Sequence, residues 1–303
     1  MNINDIRTQF QTTTFSNYKK THVVKELYNC LYYEKKDDAF FWTGELLCSN
    51  DIIELWNVYI QYMCKHIHIR NPKLPLYLVK KFNEFKLIAN KVNDLDLRNN
   101  KDIRILFFSI TAILCECKND TILDSPKFEL TFDINANLKA PNVSYIQPFF
   151  KPGDPKECFI ALNELTYHLT ATKNKMDILY WIDWIIEYEL VLLKKKRHIV
   201  CIQRPFAPNK NIIWIIWEIL FSFKYNSILE KIMESLFELF KIKYTIATNK
   251  KKKCILHVAI MFIINTIDYQ IKLIENTTGS ILNHLDEKIV NTFVRLKKNE
   301  IIA

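Results

Sequence analysis

Glycine is almost absent from this chain: Gly44, Gly153 and Gly279 are the three in 303 residues, about 1% against a usual ~7%. A loop that cradles phosphate with its backbone N–H groups needs several glycines at fixed spacing, because a Cβ would block the approach. Rossmann, Walker-A and kinase-type nucleotide loops are therefore excluded. Hydrophobic residues make up 49%, aromatics 13% and charges 25% of the chain, a balance that folds rather than staying disordered. A chain of this length forms one large domain or two of ordinary size, each with a substantial core.

Apolar spacing follows the 3.6-residue period over most of the sequence. It predicts helices over 21–34, 38–47, 51–68, 76–92, 103–118, 155–170, 175–196, 211–224, 227–246, 253–275 and 280–298. Capping signatures support several of them. Asp154-Pro155-Lys156-Glu157 pairs a capping Asp with Pro at the first helical position, while Asp51 to Glu54 and Ser227 to Glu230 have the capping-box spacing. Asn71-Pro72-Lys73-Leu74-Pro75 predicts a turn between two helices.

One stretch departs from this period. Phe128, Leu130, Phe132 and Ile134 alternate with Glu129, Thr131 and Asp133, which predicts a half-buried strand, with Val143, Tyr145 and Ile146 as its partner. The expected fold is mainly α, a multi-helix bundle or irregular helical array with one short β-hairpin insertion. Its expected parts are an N-terminal helical part over 1–118, a Pro-rich connection with the hairpin over 119–154, and a C-terminal helical bundle over 155–303.

The most apolar runs, in 211–221 and 254–267, are shorter than the ~20 residues of a bilayer span, and Glu218 and Asp268 close them. They read as core helices, so no transmembrane insertion is expected. Eight cysteines lie mostly within apolar runs and no apolar signal segment follows Met1. Both features predict buried free thiols in a reducing, intracellular setting.

Catalytic and metal chemistry have little to build on. There is no C-x-x-C and no H-E-x-x-H, and Cys115 and Cys117 diverge by about 200° on a helix. His66 and His68 diverge in the same way and read as a polar helix end. No metal and no cofactor is expected. Asp183 and Glu187 share a helical face beside Trp181, Trp184 and Tyr188, so in a dry cleft they could divide into acid and base; the plainer expectation is an exposed acidic stripe opposite Ile178, Ile182, Ile185 and Leu192. Glu164 and His168 also share a face, without an evident nucleophile. Trp181, Trp184, Trp214 and Trp217, at helical spacing, read as core.

Charge is the informative feature. The net charge is +9, yet two acid-free stretches hold all of it: 190–217 carries Lys194, Lys195, Lys196, Arg197, Arg204 and Lys210, and 239–267 carries Lys241, Lys243, Lys250, Lys251, Lys252 and Lys253. If neighbouring helices alternate in direction, both runs reach the same end of the C-terminal bundle, and Arg295, Lys297 and Lys298 join them. Some of this charge has a plainer use, since cations at a helix end complement the dipole and loop lysines solubilise. The chain has 35 Lys but 7 Arg; Lys contacts phosphate as a point charge, so sequence-specific base reading is not expected.

Two resemblances to known families stand beside these features. Asp38-Ala39-Phe40-Phe41-Trp42-Thr43-Gly44-Glu45-Leu46-Leu47, followed by 67–76 with Asn71-Pro72, resembles the helical segment after the ATPase module of AAA+ clamp-loader-like proteins, where such helices form an oligomerising collar. Trp181-Ile182-Asp183-Trp184, and Phe206-Ala207-Pro208 ahead of Ile212-Ile213-Trp214-Ile215-Ile216-Trp217, are similar to uncharacterised proteins of nucleocytoplasmic large DNA viruses. That resemblance implies use in an infected cytoplasm or virus factory, with a nuclear location as the alternative. The expected function is a non-enzymatic helical interaction protein that binds nucleic acid or another anionic polymer, or an assembly acting on it, through Lys194, Lys195, Lys196, Arg197, Arg204, Lys210, Lys250, Lys251, Lys252, Lys253, Arg295, Lys297 and Lys298. The alternatives are a viral structural or assembly protein acting through protein partners and, last, a hydrolase using Asp183 and Glu187.

Overall fold

Helix dominates the computed structural model, which describes residues 2–93, 96–125, 138–274 and 281–302. Among the described residues there are eleven α-helices: α1 (Lys20–Tyr32), α2 (Lys36–Cys48), α3 (Ile52–Tyr62), α4 (Leu74–Ala89), α5 (Lys101–Glu116), α6 (Phe159–Tyr167), α7 (Lys175–Lys194), α8 (Ile213–Phe221), α9 (Ser227–Lys241), α10 (Asn249–Ile264) and α11 (Leu285–Lys297). None is long and apolar enough to cross a membrane. The chain divides into two compact units, 1–121 together with 269–303, and 122–268.

In the first unit α2 and α5 form the centre, packed by α1, α3 and α11, with α4 laid on α5. α2 is buried along nearly its whole length. At Gly44 a Cβ would come within 2.8 Å of both Leu296 Cδ1 and Thr292 Cγ2, so the missing side chain is what lets α11 approach α2 this closely. α11 offers α2 and α5 an apolar stripe of Ile289, Phe293 and Leu296. The segment 269–303 thus packs with the first unit, and the C-terminal bundle is shorter than the 155–303 expected from the sequence.

In the second unit α7 packs between α6 and α10, and α9 lies on α10. α8 joins through aromatic rings: Trp214 and Trp217 each meet Phe237 and Phe240 of α9 at centroid separations of 5.1–5.9 Å. All four tryptophans expected in the core are buried, and Trp56 is buried in the first unit.

Local chemistry differs from the sequence reading at several points. The strand over 128–134 lies outside the described residues. Its expected partner is no strand: 143–146 bends and leads into a turn at 147–149, with Val143 exposed and Ile146 held by Asn163, whose Oδ1 accepts from the Ile146 N–H. Among the described residues the extended pairing is an isolated bridge between Thr13 and Lys19. The helix expected over 51–68 is α only to Tyr62, then passes through a π turn over Met63–Ile67. His66 and His68 are buried there rather than forming a polar end: Tyr28 Oη lies 2.8 Å from His66 Nε2, and His68 Nε2 lies 2.9 Å from the Thr121 carbonyl. Asn226, one residue before Ser227, caps α9 by accepting from the Ile228 and Leu229 N–H groups. Asp51 makes no capping bond and pairs instead with Lys20. Seven of the eight cysteines are buried, and burial pushes the thiols up, Cys30 to about 11 and Cys115, Cys117 and Cys201 to about 12.

Candidate functional site

The site is built on α7 in the second unit. Asn174 starts the helix by accepting from the Met176 and Asp177 N–H groups. One face then buries Ile178, Ile182 and Ile185. The helix stops at Lys194 without glycine: Lys196 adopts φ +57°, its N–H donating to Leu193 O and the Arg197 N–H to Leu192 O, each at 2.9 Å. That bond pair is a Schellman stop with lysine in the left-handed position that glycine usually fills. Lys194, Lys195, Lys196 and Arg197 are all exposed, stacked at the negative end of the helix dipole.

One turn earlier Glu189 is buried, 2% exposed. Its carboxylate accepts from the Asn249 side chain at 2.9 Å, at the start of α10. Its other oxygen, Oε1, has no hydrogen-bond partner among the described residues, and burial pushes the carboxyl up to about 7 against the nearby Asn211 side chain and Ile212 N–H, just ahead of α8. The residues beside Asn211 and Asn249 in sequence are Lys210 and Lys250, both exposed. The connection from α7 to α8 is fixed at the same end, with the Cys201 N–H donating to Lys210 O at 2.8 Å. Glu189 is thus the anchor that draws the two acid-free stretches together. Sequence reasoning missed it, although a lone acid inside an apolar helical face was the available signal.

The second basic run is largely committed to the acids on α7. Lys253 Nζ lies 2.6 Å from Asp183 Oδ2, and Lys250 Nζ lies 2.9 Å from Glu187 Oε1. Lys252 is buried, with Nζ 3.5 Å from Leu239 O. Lys251 is exposed. Asp183 is 1% exposed, so the exposed acidic stripe expected on this face is corrected: Asp183 is a buried charge whose carboxyl stays below its ordinary range, against the pull of burial, because His257 and Lys253 hydrogen-bond it. His257 Nε2 is 2.9 Å from Asp183 Oδ1, and its Nδ1 is 3.5 Å from Ser125 Oγ. Serine, histidine and aspartate stand in the order a nucleophilic site uses. The serine contact is nevertheless longer than the ~2.6–3.2 Å that lets a base take a proton, and the Asp183 oxygens are committed to Lys253 and His257. The arrangement is a packed charge network.

Arg204, expected to contact an anionic partner, is 1% exposed and has another role. Its guanidinium grips Asp154 through two bonds of 2.6 and 2.7 Å, Glu218 at 2.8 Å and the carbonyls of Ile202 and Phe149. Asp154, expected to cap a helix, is spent on this fork and on the N–H groups of Lys151 and Ile202. Gly153, at φ +101°, supplies the turn that presents it. Arg295 and Lys297 are on α11, in the first unit, and Lys298 follows it as the C-terminal cap. Arg295 lies 4.4 Å over the Phe41 ring, and Lys297 donates to Asn2 O at 2.9 Å. Glu164 fastens the loop at 139–140, accepting from the Lys139 and Ala140 N–H groups. His168, buried beside it, is held below its ordinary value by burial.

Within the second unit the exposed cations of the sequence-derived site are Lys194, Lys195, Lys196, Arg197, Lys210, Lys251 and, paired with Glu187, Lys250. Comparison with protein-family models, with curated proteins and with solved structures gives no match for this chain.

Proposed function

We propose that the chain is a non-enzymatic helical interaction protein whose second unit binds an anionic polymer, nucleic acid above all, through the end of α7 and the start of α10. The observation that carries this is the exposed run Lys194–Arg197 with Lys210, in a stretch free of acids, fixed near Lys250 and Lys251 by the buried Glu189. Cations concentrated on one end of the helix attract a polyanion through released counterions, and a patch of lysines with Arg197 as its one exposed arginine among the described residues favours backbone contact over base reading. The nucleocytoplasmic large DNA virus resemblance is in keeping with such a partner.

A structural or assembly role is the second reading. One observation favours it: a 670 Å³ cavity of the second unit lined by Phe206, Phe221, Phe223, Tyr225, Met233 and Phe237, ring-rich as protein interfaces are. Affinity capture of the tagged chain from its native cells, with and without nuclease, separates the two. Nuclease-sensitive association supports nucleic acid, and nuclease-resistant association at high stoichiometry supports assembly.

A further inference from the structure

The 670 Å³ cavity of the second unit is walled by two groups of rings, and its volume falls within the ~300–1,000 Å³ of small-molecule sites. Phe206, Phe221 and Phe237 pack edge to face, with centroids 5.1–5.7 Å apart. Phe223 and Tyr225, in the connection from α8 to α9, form a stacked pair at 6.4 Å and 15°, and the Tyr225 hydroxyl donates to Leu220 O. No ring contact joins the two groups among the described residues. They therefore line one space without closing it, and Met233, 1% exposed, adds a polarisable thioether to the wall.

Charge gives the cavity a sign. Glu230, Met233, Glu234 and Phe237 recur at three- and four-residue spacing, so they share one face of α9. Both glutamates line the cavity and are exposed, and neither carboxylate has a hydrogen bond or ion pair among the described residues. Lys224 is the one cation on the wall. Outside the wall, Lys241 pairs with Glu238 at 2.6 Å and brings Nζ 4.7 Å from the Phe237 ring centroid, so one of these rings already takes a cation. Ring faces and carboxylates attract the same sign of ligand. A hard metal ion needs several oxygen ligands, whereas this wall offers two carboxylates among rings. An alkylated ammonium suits it, because its methyl groups lie against the rings while its charge meets the carboxylates.

We propose that this cavity binds a small free alkylammonium cation, with its charge toward Glu230 and Glu234 and its methyl groups against Phe223, Tyr225 and Phe237. The site does not rest on the polyanion reading of the lysine surface, and it gives the cavity an occupant other than a protein partner. Calorimetric titration of the full chain at low salt with choline and with its uncharged isostere 3,3-dimethyl-1-butanol tests it. Saturable choline binding is expected, at least tenfold tighter than the isostere. In the combined Glu230→Gln, Glu234→Gln protein choline is expected to weaken at least fivefold while the isostere stays within about twofold. Phe223→Leu keeps apolar bulk but removes a ring, and is expected to weaken choline severalfold. Absence of saturable choline binding, equal binding of the isostere, or unchanged choline affinity in the folded double variant would overturn the proposal. Cosedimentation with phosphatidylcholine vesicles without binding of free choline, or a dimer in sedimentation that Phe223→Leu dissociates, would overturn it too, assigning the rings to a lipid surface or to a second copy.

Discussion

The Glu189 carboxylate and the Asn249 side chain meet at 2.9 Å across sixty positions of sequence. Neither residue faces solvent. Their bond ties the start of α10 to the last turns of α7, and it determines which lysines share a surface.

Glu189 also makes the second unit sensitive to pH. Burial raises its carboxyl from about 4.5 to about 7, so the fold favours the protonated form. Its contribution is fully present below the unfolded value and is lost as pH rises through about 7. Relative to Glu189→Gln, the parent is expected to lose up to about 3 kcal/mol between pH 4.5 and pH 8. Urea unfolding of both proteins across that range checks it, and parallel curves would contradict it.

Arg204→Met leaves the Asp154 carboxylate buried without its cation. The expected loss is ~3–5 kcal/mol, the cost of breaking a buried pair on one side. Denaturation at neutral pH measures it; a loss below about 1 kcal/mol would mean that water replaces the guanidinium.

Lys196 occupies a left-handed position at φ +57°. Lys196→Gly is expected to stabilise the protein by several tenths of a kcal/mol, up to about 1, by relieving that strain. Thermal unfolding at high salt, where the lost charge is screened, isolates the backbone effect.

Gly44→Ala would gain ~1 kcal/mol of helix propensity in an open helix. Here the added methyl meets Leu296 and Thr292 at 2.8 Å, and overpacking of ~1–3 kcal/mol is expected to prevail. Equilibrium unfolding should show net destabilisation. Pairing it with Leu296→Ala should recover part of the loss, because the two changes share one contact.

Helices and core tryptophans were legible because a 3.6-residue apolar period records burial directly: α7 and the Trp214–Trp217 stripe follow from it. Which charge faces water was not legible. Arg204 and Lys195 look alike in a basic run, yet Asp154, fifty residues away, takes the first into the core. The same limit applied to Asp183, whose partners Lys253 and His257 come from another helix. The return of α11 to the first unit depends on the notch at Gly44, which a sequence shows only as one more glycine. The expected partner strand failed because Tyr145 and Ile146 serve as turn contacts for α6, through Asn163 and Tyr167.

Binding of duplex DNA against salt concentration, in the parent and in the combined Lys194→Gln, Lys195→Gln, Arg197→Gln, Lys251→Gln protein, tests the central claim most directly. Engagement of about five phosphates gives log K falling with log[salt] at a slope of roughly −4 to −5, from ~0.9 per neutralised phosphate. The fourfold variant, shown folded by circular dichroism, is expected to bind at least tenfold more weakly with a slope shallower by about 3. Binding that is flat in salt, or unchanged affinity and slope in the variant, would contradict the claim.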